Sequence, residues 1–138
     1  MKLSRTVAYA LQATLQLAQS PPGCPVPCSR LAAQGKMPER FLLQILRNLV
    51  AHRILESARG VDGGYTLGRA PQEISLLEVI EAIDGPQGAV LPVADGLHCE
   101  SKARLEEALH GVAAVARREL HAIKLAHLLP GACPSREA

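Results

Sequence analysis

Residues 37–67 read MPERFLLQILRNLVAHRILESARGVDGGYTL, and this stretch carries the most specific structural pattern in the chain. Its first half predicts a helix, because apolar residues recur there at helical spacing. Those residues are Phe41, Leu42, Ile45, Leu46 and Leu49. Two strand-like runs follow, at residues 54–58 and 64–67, and the Asp-Gly pair between them is typical of a hairpin turn. A helix followed by a glycine-rich hairpin predicts the recognition helix and wing of a winged helix-turn-helix.

The polar face of this helix carries side chains that suit the reading of DNA. Arg40, Gln44 and Arg47 stand at positions i, i+4 and i+7, which an α-helix brings to one face. An α-helix fits the major groove, and arginine and glutamine reach base edges from it. We predict that these three residues contact DNA. The alternative is an ordinary solvated helix face.

The tip of the hairpin is the second predicted DNA contact. Arg59 precedes Gly60 and Gly63, and glycines allow a backbone to approach the neighbouring minor groove closely. We predict that all three residues contact DNA there, the alternative being a surface turn. Other surface hydroxyls and cations are candidates for phosphate contacts. They are Ser4, Arg5, Ser29, Arg30 and Lys36.

The charge distribution favours a polyanionic partner. Residues 1–69 hold nine basic and three acidic residues, a net charge of +6, whereas residues 70–138 hold six basic and ten acidic residues, a net charge of −4. A basic half joined to an acidic half indicates that one half meets double-stranded DNA. The chain has one Phe, two Tyr and no Trp. This scarcity argues against single-stranded nucleic acid, whose bases stack on aromatic side chains.

The remainder of the amino-terminal half completes the motif. We predict a first helix at about residues 2–20, whose glutamines form a polar stripe that a signal peptide would not carry. A second helix at about residues 28–35, which Gly35 ends, and a third that opens at Pro38 form the helix-turn-helix. No apolar run approaches the ~18 residues of a membrane span. We therefore expect a cytoplasmic protein without a membrane partner.

The second half predicts a short capped helix and then a long one. Ser75 and Glu78 have the spacing of a capping box and open a helix at about residues 75–84. The last helix is predicted at about residues 100–128, and we expect its apolar stripe to pack on the same helix of a second copy. The alternative is a helix that folds back on its own domain. The stripe consists of Leu105, Leu109, Val112, Ala116, Leu120, Ile123 and His127.

These elements give a fold that is mainly α with a small β-hairpin. We predict a winged helix-turn-helix DNA-binding domain at residues 1–85 and a dimerisation helix at residues 100–129. Residues 86–99 form a connecting loop of the sensor type, and residues 130–138 form a disordered tail. The loop is long for a compact domain, which is typical of a functional or mobile segment.

The chain resembles the Rrf2 family of bacterial transcription regulators over residues 1–85. The stretches that carry the likeness are MKLSRTVAYAL at residues 1–11, FLLQILRNL at 41–49, ARGVDGGYTLGR at 58–69 and ISLLEVIEAIDG at 74–85. The resemblance implies a homodimeric regulator, which we predict to be a repressor, with a long carboxy-terminal helix crossing between subunits. It also implies a palindromic operator, with Gln44 and its neighbours in the major groove and Arg59 in the minor groove.

The sequence departs from this family in the loop before the last helix. Many members hold an iron–sulfur cluster there through three cysteines, whereas this loop has only Cys99, with Gln87 and Val93 at about the other two spacings. A cluster needs roughly four ligands, mostly thiolates, so we expect no such cofactor. An unknown effector or a partner protein would then supply the signal. Leu43 also departs from a position that is usually polar, and it suggests contact with a thymine methyl group.

A redox protein that uses thiols or a metal is the alternative interpretation. Cys24 and Cys28 form a C-x₃-C pair, and Cys99 follows His98, whose imidazolium could favour the thiolate. Zinc would need two further ligands for that pair, and two unpaired loop cysteines are the simpler interpretation. The chain has no Ser/His/Asp set, no paired-carboxylate motif and no phosphate-binding loop between a strand and a helix. We therefore expect neither an enzyme nor a metal site.

Overall fold

The computed structural model describes residues 2–88 and 95–131, which form five helices and one antiparallel hairpin. The helices are α1 (Arg5–Gln19), α2 (Cys28–Gly35), α3 (Glu39–Ala51), α4 (Leu76–Asp84) and α5 (Cys99–Ala122). The strands are β1 (Leu55–Ala58) and β2 (Gly64–Leu67), and a 3-10 turn covers Leu125–Leu128. This is the mainly α, winged-helix architecture that the sequence predicts.

The core lies where α1, α3 and α4 meet. The face of α3 that points into it consists of Leu42, Ile45, Leu46 and Leu49. Phe41 was predicted for the same face, but it is 48% exposed and meets the ring of Tyr9 edge-on at a centroid distance of 6.2 Å. It lies one residue before Leu42, and therefore about 100° around the helix, outside the arc that faces the core.

A third extended segment joins the hairpin from the chain before α2. β1 and β2 pair antiparallel along their whole length. On the other edge of β2, the N–H of Val26 donates to the Tyr65 carbonyl oxygen (3.0 Å), and the N–H of Tyr65 donates to the Val26 carbonyl oxygen (2.9 Å). Gly64 is required here, because a methyl group would collide with the backbone of Val26. The sequence predicts only a loop at residues 24–27, because one apolar residue between two prolines has no periodic signal.

The turn between α2 and α3 differs in detail from the prediction. α2 ends at Gly35, as predicted, and the next residue, Lys36, takes the left-handed conformation with φ +53°. Gly35 is the last residue of α2, and a side chain there would be crowded, because a methyl group would lie 2.5 Å from the side-chain nitrogen of Gln12. That nitrogen donates to the Gly35 carbonyl oxygen at 2.8 Å, which ties α1 to the turn. Pro38 is the N-cap of α3 rather than its first helical residue.

The last helix is shorter than predicted, and the chain then returns to the domain. α5 ends at Ala122, so the prediction of a single helix over about residues 100–128 is wrong. After α5 the N–H of Leu125 donates to the Ile74 carbonyl oxygen at 2.9 Å. Leu125 enters the core and exposes none of its surface. The chain therefore forms no further turns of α5. Instead, the Leu125 side chain is buried and the backbone pairs with the residues that precede α4.

Two predicted segments extend beyond the described residues. The structure covers residues 86–88 and 95–99 of the predicted connecting loop, but only residues 130–131 of the predicted disordered tail. Val93 lies outside the described residues. In the part that the structure covers, no helix combines the length and the apolar character needed to span a bilayer.

Candidate nucleic-acid interface

The exposed face of α3 carries the side chains predicted to contact DNA. Arg40, Gln44 and Arg47 are all exposed, whereas Leu43 and Asn48 beside them are half-buried. The opposite face of α3 is held in the core, so the three side chains point away from the domain. With 13 residues α3 is about 20 Å long, which suits a helix that enters the major groove.

Within residues 2–88 and 95–131, the basic residues of this surface have no acidic partners. In the part of the chain that the structure describes, the ion pairs are Arg69–Glu78, Arg104–Glu100 and Arg117–Glu81. None of them uses a cation that was predicted to contact DNA. Those cations are Arg5, Arg30, Lys36, Arg40, Arg47 and Arg59, and all are exposed. Exposed cations without intramolecular counter-ions favour a polyanion, whose own counter-ions are released on binding.

The wing tip is a tight turn that leaves Arg59 exposed. The N–H of Gly63 donates to the Gly60 carbonyl oxygen at 3.0 Å, and Gly60 adopts φ +108°, a conformation that favours glycine. Val61, at the corner of the turn, is fully exposed. Sequence reasoning did not select Val61, although an apolar residue within a polar turn is the signal that could have found it.

Most of the predicted phosphate contacts lie around this surface. Ser29 and Arg30 are in the first turn of α2, and Arg30 lines a shallow cleft together with residues 61–63 of the wing tip. The start of α2 and the wing tip are therefore neighbours. Arg5 is the first residue of α1, and Lys36 stands in the turn that leads to α3.

Ser4 has a local role that the prediction did not include. Its hydroxyl oxygen accepts the N–H of Val7 at 3.2 Å, which makes Ser4 the N-cap of α1. The same hydroxyl donates to the Asp84 carboxylate at 3.4 Å. A phosphate would have to replace Asp84 as its acceptor, so the phosphate contact of Ser4 stays a prediction.

An ion pair fastens the end of the wing to α4. Glu78 accepts the N–H of Ser75 at 2.9 Å, and the N–H of Glu78 donates to the Ser75 hydroxyl at 3.2 Å, which confirms the predicted capping box. The other carboxylate oxygen of Glu78 accepts from Arg69, two residues after β2, at 2.6 Å. Burial alone would raise the pKa of Glu78, but the hydrogen bonds from Ser75 and Arg69 outweigh it and hold the pKa below its usual value.

Replacing Glu78 with glutamine is expected to destabilise the fold by about 0.5 kcal/mol at neutral pH, since both partners are about a third exposed. Because the folded-state pKa is lowered, the carboxylate contributes stability above its unfolded value of 4.5. This contribution disappears as the pH falls through the lower folded-state value. Urea denaturation of both proteins should therefore give a stability gap that closes in acid.

The matched control for this measurement is Glu56→Gln. Glu56 is an exposed carboxylate on β1 of the wing, and it forms no ion pair within the described residues. Its replacement should leave stability almost unchanged at neutral pH, where Glu78→Gln has its full effect. If the difference in unfolding free energy between wild type and Glu78→Gln persisted unchanged in acid, the lowered pKa of Glu78 could not be assigned to Ser75 and Arg69.

α5 has no fully buried residue and presents three faces. The face towards α4 is half-buried and contains Leu109, Ala116 and Leu120, with Arg117 bonded to Glu81 at 2.7 Å. The next face exposes Leu105, Val112 (68% exposed) and Val115 (51% exposed). The third face is polar and exposes Glu107, His110 and Arg118. The predicted stripe therefore divides, since part of it covers the domain and part faces solvent.

The cysteines differ in their surroundings. The thiols of Cys24, Cys28 and Cys99 are free. Burial raises the pKa of the Cys28 thiol, and the nearby Glu39 carboxylate raises it further, which lowers its reactivity. Cys99 opens α5, where the ring of His98 caps the helix by accepting the N–H of Glu100 at 3.3 Å. Among residues 2–88 and 95–131, no group of three His, Cys, Asp or Glu side chains could hold a metal ion.

The residues around the start of α5 do not fit an iron–sulfur cluster. Such a cluster needs roughly four ligands, mostly thiolates. In the described part of the connecting loop, Cys99 is the only cysteine. Gln87 is engaged elsewhere, because its side chain donates to the Gly85 carbonyl oxygen at 3.0 Å and its own carbonyl oxygen accepts from Arg117 at 3.2 Å.

Comparisons with known proteins agree with this architecture. Residues 3–131 match the model of the Rrf2 family, which is described as an iron-dependent transcriptional regulator. A protein of Mycobacterium tuberculosis described as an HTH-type transcriptional regulator is 35% identical over 140 residues, which cover 100% of this chain and 87% of that protein. The structure of T. potens IscR superposes on this structure with a TM-score of 0.72 and 27% sequence identity. The match covers 100% of this chain and 93% of that chain. The structure of CymR, the global cysteine regulator of B. subtilis, has a TM-score of 0.76 and 23% identity, over 93% and 95% of the two chains.

Proposed function

Since this chain belongs to the Rrf2 family of DNA-binding transcriptional regulators, we propose that it acts as a homodimeric repressor on a palindromic operator. The observation that carries the DNA-binding part of this proposal is the set of exposed cations on α3 and the wing, none of which has a carboxylate partner within the described residues. α3 enters the major groove, with Arg40, Gln44 and Arg47 against bases and backbone. Arg59 enters the adjacent minor groove.

We propose that the second copy covers the exposed apolar face of α5. Leu105, Val112 and Val115 recur along one side of the helix, and their removal from water would stabilise an association. A two-fold contact brings the same face of both copies together. The dimer then holds two α3 helices in a fixed relation, which suits two half-sites about one or two helical turns apart.

Leu43 contributes to the base-sequence preference of α3. It lies on α3 beside Gln44 and is half-buried, so only part of its side chain can reach DNA. We propose that it contacts a thymine methyl group, because an apolar side chain offers no hydrogen bond to a base edge. Selection of bound duplexes from a random pool would show this as a preference for thymine at one position of each half-site.

We also propose that the protein works without an iron–sulfur cluster, and that an effector or a partner protein supplies its signal. Support comes from Cys99, the only cysteine in the described part of the connecting loop. Protein purified without oxygen should then show no visible absorption band from a cluster. Deletion of the gene should raise transcription from promoters that contain the selected operator, as a repressor requires.

Replacing Arg59 with alanine is expected to lower affinity for the selected operator by about 1–3 kcal/mol, or roughly 5- to 150-fold. The variant loses both a cation and a minor-groove contact, so the dependence of affinity on salt should also weaken. Fluorescence anisotropy at several salt concentrations measures both effects.

Arg118→Ala is the control, because Arg118 is an exposed cation on the polar face of α5. It lowers the net charge by the same amount and should bind the operator as wild type does. Equal binding by Arg59→Ala and wild type at moderate salt would refute the placement of the wing in the minor groove.

A further inference from the structure

A cavity beside the wing takes no part in the DNA-binding surface described above. It has a volume of about 480 Å³ and lies between the carboxyl end of α1, the segment that follows it, β2 and residues 69–71. Its wall is mainly apolar and includes Leu17, Pro21, Tyr65 and Pro71. Small-molecule sites have this volume and lining, with a few polar groups that set the orientation of the ligand.

Among the residues that the structure describes, the polar groups of the cavity leave one negative charge, that of Glu56, without a paired cation. Arg69 and Glu56 both line it. The Arg69 guanidinium is neutralised by Glu78 at 2.6 Å, and it also donates to the Glu73 carbonyl oxygen at 3.4 Å. The Glu56 carboxylate, by contrast, has no ion pair within the described residues. Because Glu56 is exposed, a cation bound at the edge of the apolar wall would form a partly screened ion pair with it.

The open edge of β2 adds a backbone acceptor to the same cavity. Tyr65 uses its N–H and its carbonyl oxygen for Val26, on the side of β2 away from β1. In an antiparallel strand, residues two apart direct these groups to the same side. The N–H and the carbonyl oxygen of Leu67 therefore point to the edge of β2 that faces away from β1. The pairing with Val26 has ended before this residue, and Leu67 lines the cavity.

We infer that the cavity binds a small apolar molecule that carries one ammonium group. The apolar part packs against Tyr65, Pro21 and Pro71, while the ammonium group faces Glu56 and the Leu67 carbonyl oxygen. The volume suits roughly ten to twenty non-hydrogen atoms. Because β2 forms one wall of the cavity and α1 forms another, a bound ligand would contact both and restrict the movement of the wing relative to α1. The binding does not rest on the proposed function, since it is a property of the protein without DNA.

Calorimetric titration of the full chain without DNA tests this site. The probes are phenethylamine, phenethyl alcohol and hydrocinnamate, which share an aromatic ring on a short chain and differ in charge. We expect phenethylamine to bind with an affinity about three- to five-fold higher than that of the alcohol, as a partly exposed ion pair allows. Hydrocinnamate should bind more weakly than the alcohol. NMR spectra should place the amine beside Tyr65 and Leu67.

Two variants and a control complete the test. Glu56→Gln should lower the affinity for phenethylamine to that for the alcohol, whereas Glu73→Gln, which removes an exposed carboxylate outside the cavity, should not. Ala70→Phe should obstruct the cavity and weaken all three probes, because Ala70 lines it from an exposed position. Absence of saturable binding, equal or tighter binding of hydrocinnamate, or a preference for the amine that survives Glu56→Gln would each overturn the inference.

Discussion

Replacing both Val112 and Val115 with aspartate is expected to separate the dimer and to lower affinity for the palindromic operator by about 100-fold or more. Both valines are more than half exposed in the single chain, so the variant should fold normally as a monomer. In the proposed dimer, four carboxylates would then meet in an apolar contact, where burial of unpaired charge is costly. A monomer also loses the second half-site, which the dimer binds at high effective concentration.

Sedimentation and operator binding should be measured on the same preparations. Ala103→Asp combined with Ala114→Asp is the matched control, since both alanines are exposed and lie on the polar side of α5. It adds the same charge without touching the apolar face, and should remain a dimer. Both double variants should bind a single half-site with similar low affinity. A valine variant that stays dimeric would show that another surface joins the two copies.

Replacing Leu125 with alanine is expected to destabilise the fold by about 2–5 kcal/mol, the range for leucine truncation in a close-packed core. None of the Leu125 side chain is exposed, although it follows the last helix and lies near the end of the described residues. Its N–H also pairs with Ile74, at the entrance to α4. The free energy of unfolding in urea measures the loss, and a lowered m-value would indicate that the return segment has detached.

Leu128→Ala provides the comparison within the same 3-10 turn. Leu128 is exposed to 45%, so its truncation removes little buried surface and should cost less than about 1 kcal/mol. Equal effects of the two substitutions would show that Leu125 does not enter the core in solution. The contrast matters because the sequence predicts helix at both positions.

Several features of the fold and of the candidate site could be predicted because they depend on neighbouring residues. The capping box of Ser75 and Glu78 joins residues three apart, and the structure contains it. The exposed face with Arg40, Gln44 and Arg47 follows from helical spacing once the opposite face is apolar. The hairpin is likewise present over residues 55–67, and its glycine-rich tip exposes Arg59. Whether these residues bind DNA stays a prediction.

The positions of the first four helices and of the hairpin, and the polar faces of these elements, could therefore be predicted, because apolar spacing, caps and turn residues act within a few positions of one another. Packing between distant segments, by contrast, set the pairing of Val26 with Tyr65 and the return of Leu125 to the core. It also decided how the apolar residues of α5 divide between the domain and solvent. Each of these outcomes depends on partners far away in the chain, and local spacing carries no information about which distant surface a side chain will meet.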